Sequence, residues 1–529
     1  MNNSEMPENL KGQVLIIDGV VHISDALAKD NHELLSFLSF AARKGFAETK
    51  RHPIKDFAEF YNKSKKAVSE SEVQKMAVKI LDEAREAGAS DVHIADYGAF
   101  STVQFRRMGM LEERQQLPEG VGHKLLSSMY TTMTDGADSN FSKTERQDGT
   151  LKTEYLPADV QSVRLHTEPL KADMAKDKQG TFMAMRLLYD VTEATGSLED
   201  RMRTLGYTEQ HIRIFQYLST RSGCVIFSGP TGSGKTTALK HAMESMAEEN
   251  RDMSYMSLED PPEFSMHLVK QIHIISDYTD EHKRAKVFRA ALGGMLRSDI
   301  DGLMIGEMRY PEVVMAVLRA AQTGHSIWTS VHASSALNII MLLATMLTDH
   351  GIREPRNYLC DHSICSGLIN QRLVSVLCDH CKRPFTEIVE LPENDPERLR
   401  ILPSGVFNRM LEVIDEDKIE NIHFKGKGCE HCDNLGVVRQ TVVAEVIATD
   451  YVMLEYLRKN DFISAHKHWI NEQNGKSFVR HAIDLISEGK IDPTAVEKKL
   501  GVPLNYDKAF GHYSFNASDL ESLSGSGSV

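Results

Sequence analysis

Residues 227–237 read FSGPTGSGKTT. They contain G-x-x-x-x-G-K-T, from Gly229 to Thr236, behind an apolar β-rich run, CVIF, and ahead of a helical one, TTALKHAMESMAEE. Strand, glycine-rich turn and helix in that order are the context the pattern needs. Glycines at 229, 232 and 234 let backbone N–H groups curl into an anion-binding nest at a helix N-terminus. Lys235 then reaches the β- and γ-phosphates of a nucleotide, and Thr236 offers its hydroxyl to Mg²⁺. Gly229, Pro230, Thr231, Gly232, Ser233, Gly234, Lys235, Thr236 and Thr237 are therefore the expected ATP cradle. Around this loop, short β-rich runs alternate with helical stretches: CVIF (224–227), MSYMSL (253–258), QIHII (271–275), GLMI (302–305) and SIWTSVH (326–332). That alternation predicts a parallel sheet covered by helices.

A chain of 529 residues is too long for one core. Residues 13–24, QVLIIDGVVHIS, predict a hairpin turning at Asp18-Gly19. A helical stretch, NHELLSFLSFAARKG, follows and ends at Gly45. The polar stretch from Glu48 to about Glu72 predicts a linker. Helical spacing resumes in VQKMAVKILDEAREAGA, with Gly88 as its stop, and alternating strand-like runs over 91–190 predict an α+β domain. The expected division is 1–70, an N-terminal extension; 71–195, the α+β domain; 196–372, the P-loop core; 373–445, a cysteine-bearing element; 446–505, a helical region; and 506–529, a flexible tail ending in SLSGSGSV.

Composition is ordinary for a globular chain, and the formal charge of -14 argues against a general nucleic-acid binder. The N-terminus lacks a basic segment followed by an apolar one, and no run of about 18 apolar residues occurs. A cytosolic location is the expectation, and thiols stay reduced there.

Four of the seven cysteines form two Cys-x-x-Cys pairs, Cys378/Cys381 and Cys429/Cys432. Four thiolates hold Zn²⁺ tetrahedrally at about 2.3 Å. His380 and His431, inside the turns, leave a Cys₃His set as a variant. Cys224 is expected in the core, and Cys360 and Cys365 as bystanders in a helical stretch. A closed metal site here would pin a long insertion that lacks much core of its own.

Hydrolysis needs a carboxylate that positions and deprotonates water. LMIGEMR puts Glu307 directly after an apolar strand, with Gly306 where many P-loop enzymes carry aspartate. SLEDPPEF (257–264) adds Glu259, Asp260 and Glu263, and TGHSIWTSVHASSA (323–336) brackets a strand with His325 and His332.

In this order the four segments resemble the Walker A loop, Asp box, atypical Walker B and His box of the type II secretion and type IV pilus ATPase family. The resemblance runs from about Ala87 to Ile447, through ASDVHI (89–94), FRRMGML (105–111), DVQSVRLHTEPL (159–170), MRLL (185–188), LRSDIDGLMIGEMR (296–309) and INQRLVSVLCDHCKRP (369–384). It implies a RecA-like P-loop ATPase domain, a preceding PAS-like α+β domain, a zinc-knuckle insertion and a small N-terminal domain. It implies ATP, Mg²⁺ and Zn²⁺. Glu307 would be the base, Glu259 would support Mg²⁺ or water, and His332 would sense the γ-phosphate. Arg164 and Arg186 match arginines that reach the nucleotide across a cleft. The family commonly reads G-E-I-R-D where this chain reads GEMRY, with Tyr310 in the acidic place, and Gly-Glu where this chain has Gly180-Thr181. The tetracysteine element and N-terminal extension resemble those of pilus-extension and secretion motors and not of retraction motors, which implies a motor for type IV pilus extension, with type II secretion as the alternative. The implied partners are five further copies of the chain in a homohexamer and an inner-membrane platform protein. Membrane association would be peripheral, at the cytoplasmic face, and no nucleic acid is expected.

Overall fold

The structure, a computed structural model, describes residues 10, 13–17, 20–29, 31–43, 48–53, 57, 72–135, 140–173, 178–189, 196–274 and 281–508. In the N-terminal part, β1 (Val14–Ile17) and β2 (Val20–Ser24) pair antiparallel, with Ile17 opposite Val20. The expected turn at Asp18-Gly19, the helix end at Gly45 and the tail from 509 lie outside the described residues. The helix His32–Arg43 buries Leu34, Phe37 and Ala41 against Val14, Val21 and Ile23. One expectation is corrected. Part of the presumed linker is β3 (Glu48–His52), parallel to β2. Its charged residues suit an edge strand, and its backbone pairs with a strand that is itself buried.

The second sheet has β4 (Asp91–Asp96), β5 (Phe100–Arg107), β6 (Met110–Pro118), β7 (Thr134–Asp135), β8 (Gln147–Leu151), β9 (Val160–Lys171) and β10 (Gln179–Tyr189). The order is β6-β5-β4-β10-β9-β8-β7, and every neighbouring pair is antiparallel. Two helices, Glu72–Glu86 and Val121–Thr131, share its core. The first buries Ala77, Ile80, Leu81 and Ala84, the stripe a 3.6-residue period requires. Along β10, Met183, Met185 and Leu187 are buried in that core. The two-residue period puts Arg186 on the other face, directly opposite Arg164 of β9.

The third sheet comprises β11 (Gly223–Ser228), β12 (Tyr255–Glu259), β13 (Lys270–His273), β14 (Gly302–Ile305), β15 (Ser326–Ser330), β16 (Cys365–Leu377) and β19 (Val437–Ala448). Its order is β13-β12-β14-β15-β11-β16-β19. All pairs are parallel except β16 with β19. Every residue of β11 is buried, as a strand with both faces covered must be. This is the RecA-like P-loop layer, with one apolar core on each face.

Three further corrections concern the C-terminal half. Cys365 is not helical; it opens β16, whose run SGLINQRLVSVL includes the β-branched Ile369, Val374 and Val376 that favour a strand. The strands β16 and β19 run straight across the expected boundaries at 372/373 and 445/446. The insertion between the cysteine pairs does not lack a core. It contains the small pairing of β17 (Arg383–Pro384) with β18 (His423–Phe424). Its Phe385, Ile388, Met410, Ile422 and Phe424 pack with Phe478, Ala482, Ile486 and Leu500 of the C-terminal helices in one cluster.

Candidate functional site

The glycine-rich loop leaves β11 at Ser228 and enters the helix Lys235–Glu249. Gly229, Gly232 and Gly234 have φ of 144°, 72° and 80°. Gly229 also needs its missing side chain for space, because a Cβ there would lie 2.3 Å from the Gln371 carbonyl oxygen. Lys235 is buried, and its Nζ donates to the carbonyls of Gly229 at 2.9 Å and Pro230 at 3.3 Å. Burial lowers the pKa of its ammonium, while Glu307 and Glu263 pull the other way.

Glu307 follows β14, and its carboxylate is held from two sides. Arg309 Nε donates to Oε2 at 2.9 Å, and His332 Nε2 lies 3.3 Å from Oε1. The other ring nitrogen, His332 Nδ1, is 3.1 Å from the Gly229 carbonyl. One imidazole thus bridges the glycine-rich loop and the strand-end carboxylate. His325 is elsewhere: its Nδ1 faces Ala320 O and Thr323 Oγ1 at the end of the helix Pro311–Gln322.

Gly306 has a physical partner. β12 and β14 are neighbours, and a Cβ on Gly306 would lie 3.4 Å from Glu259 Cγ. The buried Glu259 accepts from Ser257 Oγ at 2.6 Å and Gln271 Nε2 at 3.0 Å. A carboxylate from the adjacent strand therefore stands beside the glycine that replaces the usual aspartate. Asp260 is instead engaged by Arg284, through Nε at 2.6 Å and Nη2 at 3.0 Å.

A cavity of about 590 Å³ lies between the two seven-stranded sheets. Its walls include Thr231–Thr237, Glu259, Glu307 and His332 on one side and Arg164 and Arg186 on the other. Arg164 Nη2 donates to Pro261 O at 3.0 Å, and Nη1 is 3.7 Å from Glu263. Burial disfavours its charge and Glu263 favours it, leaving its pKa lowered. Arg186 Nε donates to Asp91 at 3.0 Å. Arg106, Arg309, Gln440 and Lys499 also line the cavity. Sequence reasoning assigned none of these a role. Arg106 and Arg309 lay inside quoted motif segments, FRRMGML and GEMR, and could have been found there; Gln440 and Lys499 carried no signal.

The four cysteines of the two pairs converge, with all sulfurs within 4.8 Å of one another. Cys378 to Cys429 is 3.7 Å, Cys381 to Cys432 is 3.9 Å and Cys429 to Cys432 is 3.7 Å. A tetrahedron with metal–sulfur bonds of about 2.3 Å has edges of about 3.8 Å, so the donor set fits Zn²⁺. Backbone N–H groups of Gly436 and Cys429 point at Cys432 Sγ, at 3.1 and 3.3 Å. Burial opposes its ionisation, yet these N–H groups bring its pKa down to about 7. His380 and His431 stack on each other with centroids 3.8 Å apart. The metal-competent set among the described residues is the four sulfurs.

Comparison with known proteins points to one family. A model of the "Type II/IV secretion system protein" family matches residues 66–498. The chain is 26% identical over 492 residues to the "Protein transport protein HofB homolog" of Escherichia coli, covering 92% of this chain and 94% of that protein. It is 28% identical to the "Type IV pilus assembly ATPase PilB" of Pseudomonas aeruginosa, over 67% of this chain and 55% of the relative. It is 29% identical to the "Type II secretion system ATPase E" of Vibrio cholerae, over 72% of this chain and 65% of the relative. This chain thus spans less than two thirds of those two relatives. The solved Legionella pneumophila ATPase DotB superposes with a TM-score of 0.51 at 17% identity, over 80% of this chain and 94% of that one, which supports the fold. The chain belongs to the type II/IV secretion system protein family, a family of ATPases.

Proposed function

We propose that this chain is the ATP-hydrolysing motor that assembles, and so extends, a type IV pilus from the cytoplasmic face of the inner membrane. The observation that carries the ATPase part of this reading is the cavity, which gathers the glycine-rich loop, Glu307, Glu259 and His332 from one sheet and two arginines from the other. Lys235 and the backbone of Gly229–Thr237 bind the phosphates. Thr236 would hold Mg²⁺ through its hydroxyl, and the ion would supply charge neutralisation at the phosphates. Glu307 takes a proton from the attacking water, and Arg309 and His332 hold its carboxylate in place. Glu259 orients water or Mg²⁺ from the neighbouring strand. Arg164 and Arg186 close on the nucleotide from the other sheet, and that closure is the mechanical stroke. Cys378, Cys381, Cys429 and Cys432 hold a structural Zn²⁺.

The motor acts as a homohexamer on an inner-membrane platform protein and meets the membrane through that partner. No helix among the described residues is long and apolar enough to cross a membrane. The net charge of -14 speaks against nucleic acid as the cargo. The secretion relative matches at an identity within one point of the pilus relative, so the test has to separate the two roles. Host cells carrying Lys235→Ala as the sole copy are imaged by electron microscopy while exported proteins are assayed. Loss of surface filaments with export intact is expected. Lost export with filaments unaffected would instead make this a type II secretion motor.

A further inference from the structure

Three consecutive residues of β16 hold both loops of the candidate site. Gln371 is fully buried, and its Nε2 donates to the Ser233 carbonyl at 2.7 Å. Its Oε1 accepts from the hydroxyl of Tyr207, which is also buried. In a trans peptide the carbonyl and the following N–H point in opposite directions. Tying the Ser233 carbonyl to Gln371 therefore aims the Gly234 N–H away from Gln371 and into the curl of the loop. A carbonyl turned inward there would repel a phosphate, so the direction of this one peptide matters to the whole nest.

On the other face of the strand, Asn370 and Arg372 grip the segment just after His332. Asn370 Nδ2 donates to Ala333 O at 3.1 Å and to Ser228 Oγ at 2.9 Å. Arg372 Nη2 donates to Ser334 O at 2.8 Å, and its guanidinium lies 4.0 Å over the Phe478 ring. Opposite Asn370 on β19, Glu445 accepts from the Ala336 N–H at 2.7 Å.

We propose that Asn370 and Gln371 are positioning residues of this ATPase: Gln371 sets the curl of the phosphate loop, and Asn370 sets the segment that carries His332 toward Glu307. Successive strand residues face opposite ways. One rigid strand thus fixes the spacing between the loop that holds the phosphates and the imidazole that contacts the base. The proposal rests on the reading that Gly229–Thr237 bind the nucleotide phosphates.

The two faces predict different kinetic signatures. Gln371→Met keeps the length and loses the amide; it should raise the dissociation constant for Mg-ADP and the KM for ATP by about tenfold, the scale of one buried hydrogen bond. Asn370→Leu should lower kcat by about tenfold and, because Asn370 also bonds Ser228 at the base of the loop, weaken Mg-ADP binding by less than Gln371→Met does. Tyr207→Phe removes only the hydroxyl that anchors Gln371. It should weaken Mg-ADP binding in the same direction, and combined with Gln371→Met it should add nothing further. All are measured on the full chain, with melting recorded without nucleotide. Changes in KM and kcat that move together in both variants, or affinity losses that only track melting, would overturn the proposal. Should Gln371→Met fail to fold, wild-type affinity in Tyr207→Phe overturns it alone. Lys235→Ala separates the premises: if it binds Mg-ADP normally, the site reading falls and this proposal with it. If it abolishes binding while Gln371→Met and Tyr207→Phe bind as wild type, the positioning claim alone falls.

Discussion

The glycine-rich loop and the four-cysteine cluster are built with the same device for opposite ends. Each is a turn of positive-φ glycines, Gly229, Gly232 and Gly234 in one and Gly428 and Gly436 in the other. Each turn carries backbone N–H groups free of helix and sheet pairing to a place of its own. In the cluster those N–H groups meet Cys432 Sγ, a group of the chain's own. In the loop they face a cavity of about 590 Å³ that opens to what arrives from outside. Both depend on β16. Asn370 pairs with Ser228 at the base of the loop, and the strand then runs on to Leu377, directly before Cys378. The comparison teaches that a loop open to a cavity is shaped to take a ligand from outside, while a turn closed on the chain's own sulfurs is shaped to hold them together. Damage to the first should cost chemistry and leave the fold; damage to the second should cost the fold.

The largest expected effect lies on the chemical side. Glu307→Gln should lower turnover about 10²–10⁴-fold, the usual worth of a positioned general base, with Mg-ADP affinity and melting temperature retained. Phosphate release and nucleotide titration check this, and near-normal turnover would remove Glu307 from the role. On the structural side, replacing Cys378 and Cys381 together with Ser should take zinc from about one per chain to none and cost several kcal/mol of stability. Because the insertion shares its core with the C-terminal helices, melting of that whole region should follow. Elemental analysis beside calorimetry reads both, and unchanged zinc content would break the comparison.

A third variant probes the ground between the sites. Burial raises the pKa of Glu445 to about 7. A carboxyl whose folded pKa is raised keeps its proton in the folded state where the unfolded chain has lost it. Its burial therefore weighs little below the unfolded value of 4.5 and increasingly destabilises the fold as pH rises toward 7. Glu445→Gln should then be more stable than wild type at pH 8, by on the order of 3 kcal/mol, with the gap closing toward pH 4. Melting at several pH values decides it; a gap independent of pH would exclude this titration.

The smallest effect is expected where the two halves touch. The buried Arg107, at the tip of the β5–β6 hairpin, donates to the exposed Asp433 beside the cysteine cluster at 3.2 Å. Met108 and Met110 pack there against Leu377, Leu435 and Val437. Asp433→Asn keeps a residue suited to the φ of 46° and removes the charge. It should cost under about 1 kcal/mol and leave zinc content unchanged. A larger loss would mean that the hairpin, not the metal, holds the cluster.

What was legible and what was not divides by the range of the interaction. Gly229–Thr237 and the strand end at Glu307 were readable because each is a local pattern. A glycine at a positive φ, a lysine at the start of a helix and a carboxylate after an apolar run need only their neighbours. The cysteine pairs were readable because each supplies two ligands from one turn. Beyond that range the reading failed. Cys365 looked helical although it opens a strand, because its pairing with Cys224 of β11 is invisible to local spacing. The insertion looked poor in core because the apolar residues that complete it come from about 480 onward.

The sequence by itself determined the glycine-rich loop between strand and helix, the two cysteine pairs, the parallel character of the third sheet and the placing of Glu307 after a strand, since all follow from residue type at fixed short spacing. Only the tertiary structure decided that Glu259 stands beside Gly306, which required β12 and β14 to be neighbours. It alone put Arg164 and Arg186 across a cavity from Lys235, because that needs one sheet to dock on another. And it alone tied Ser233 to Gln371, residues 138 positions apart. A hydrogen bond between buried groups that distant is set by strand order and register, which no stretch of chain encodes in isolation.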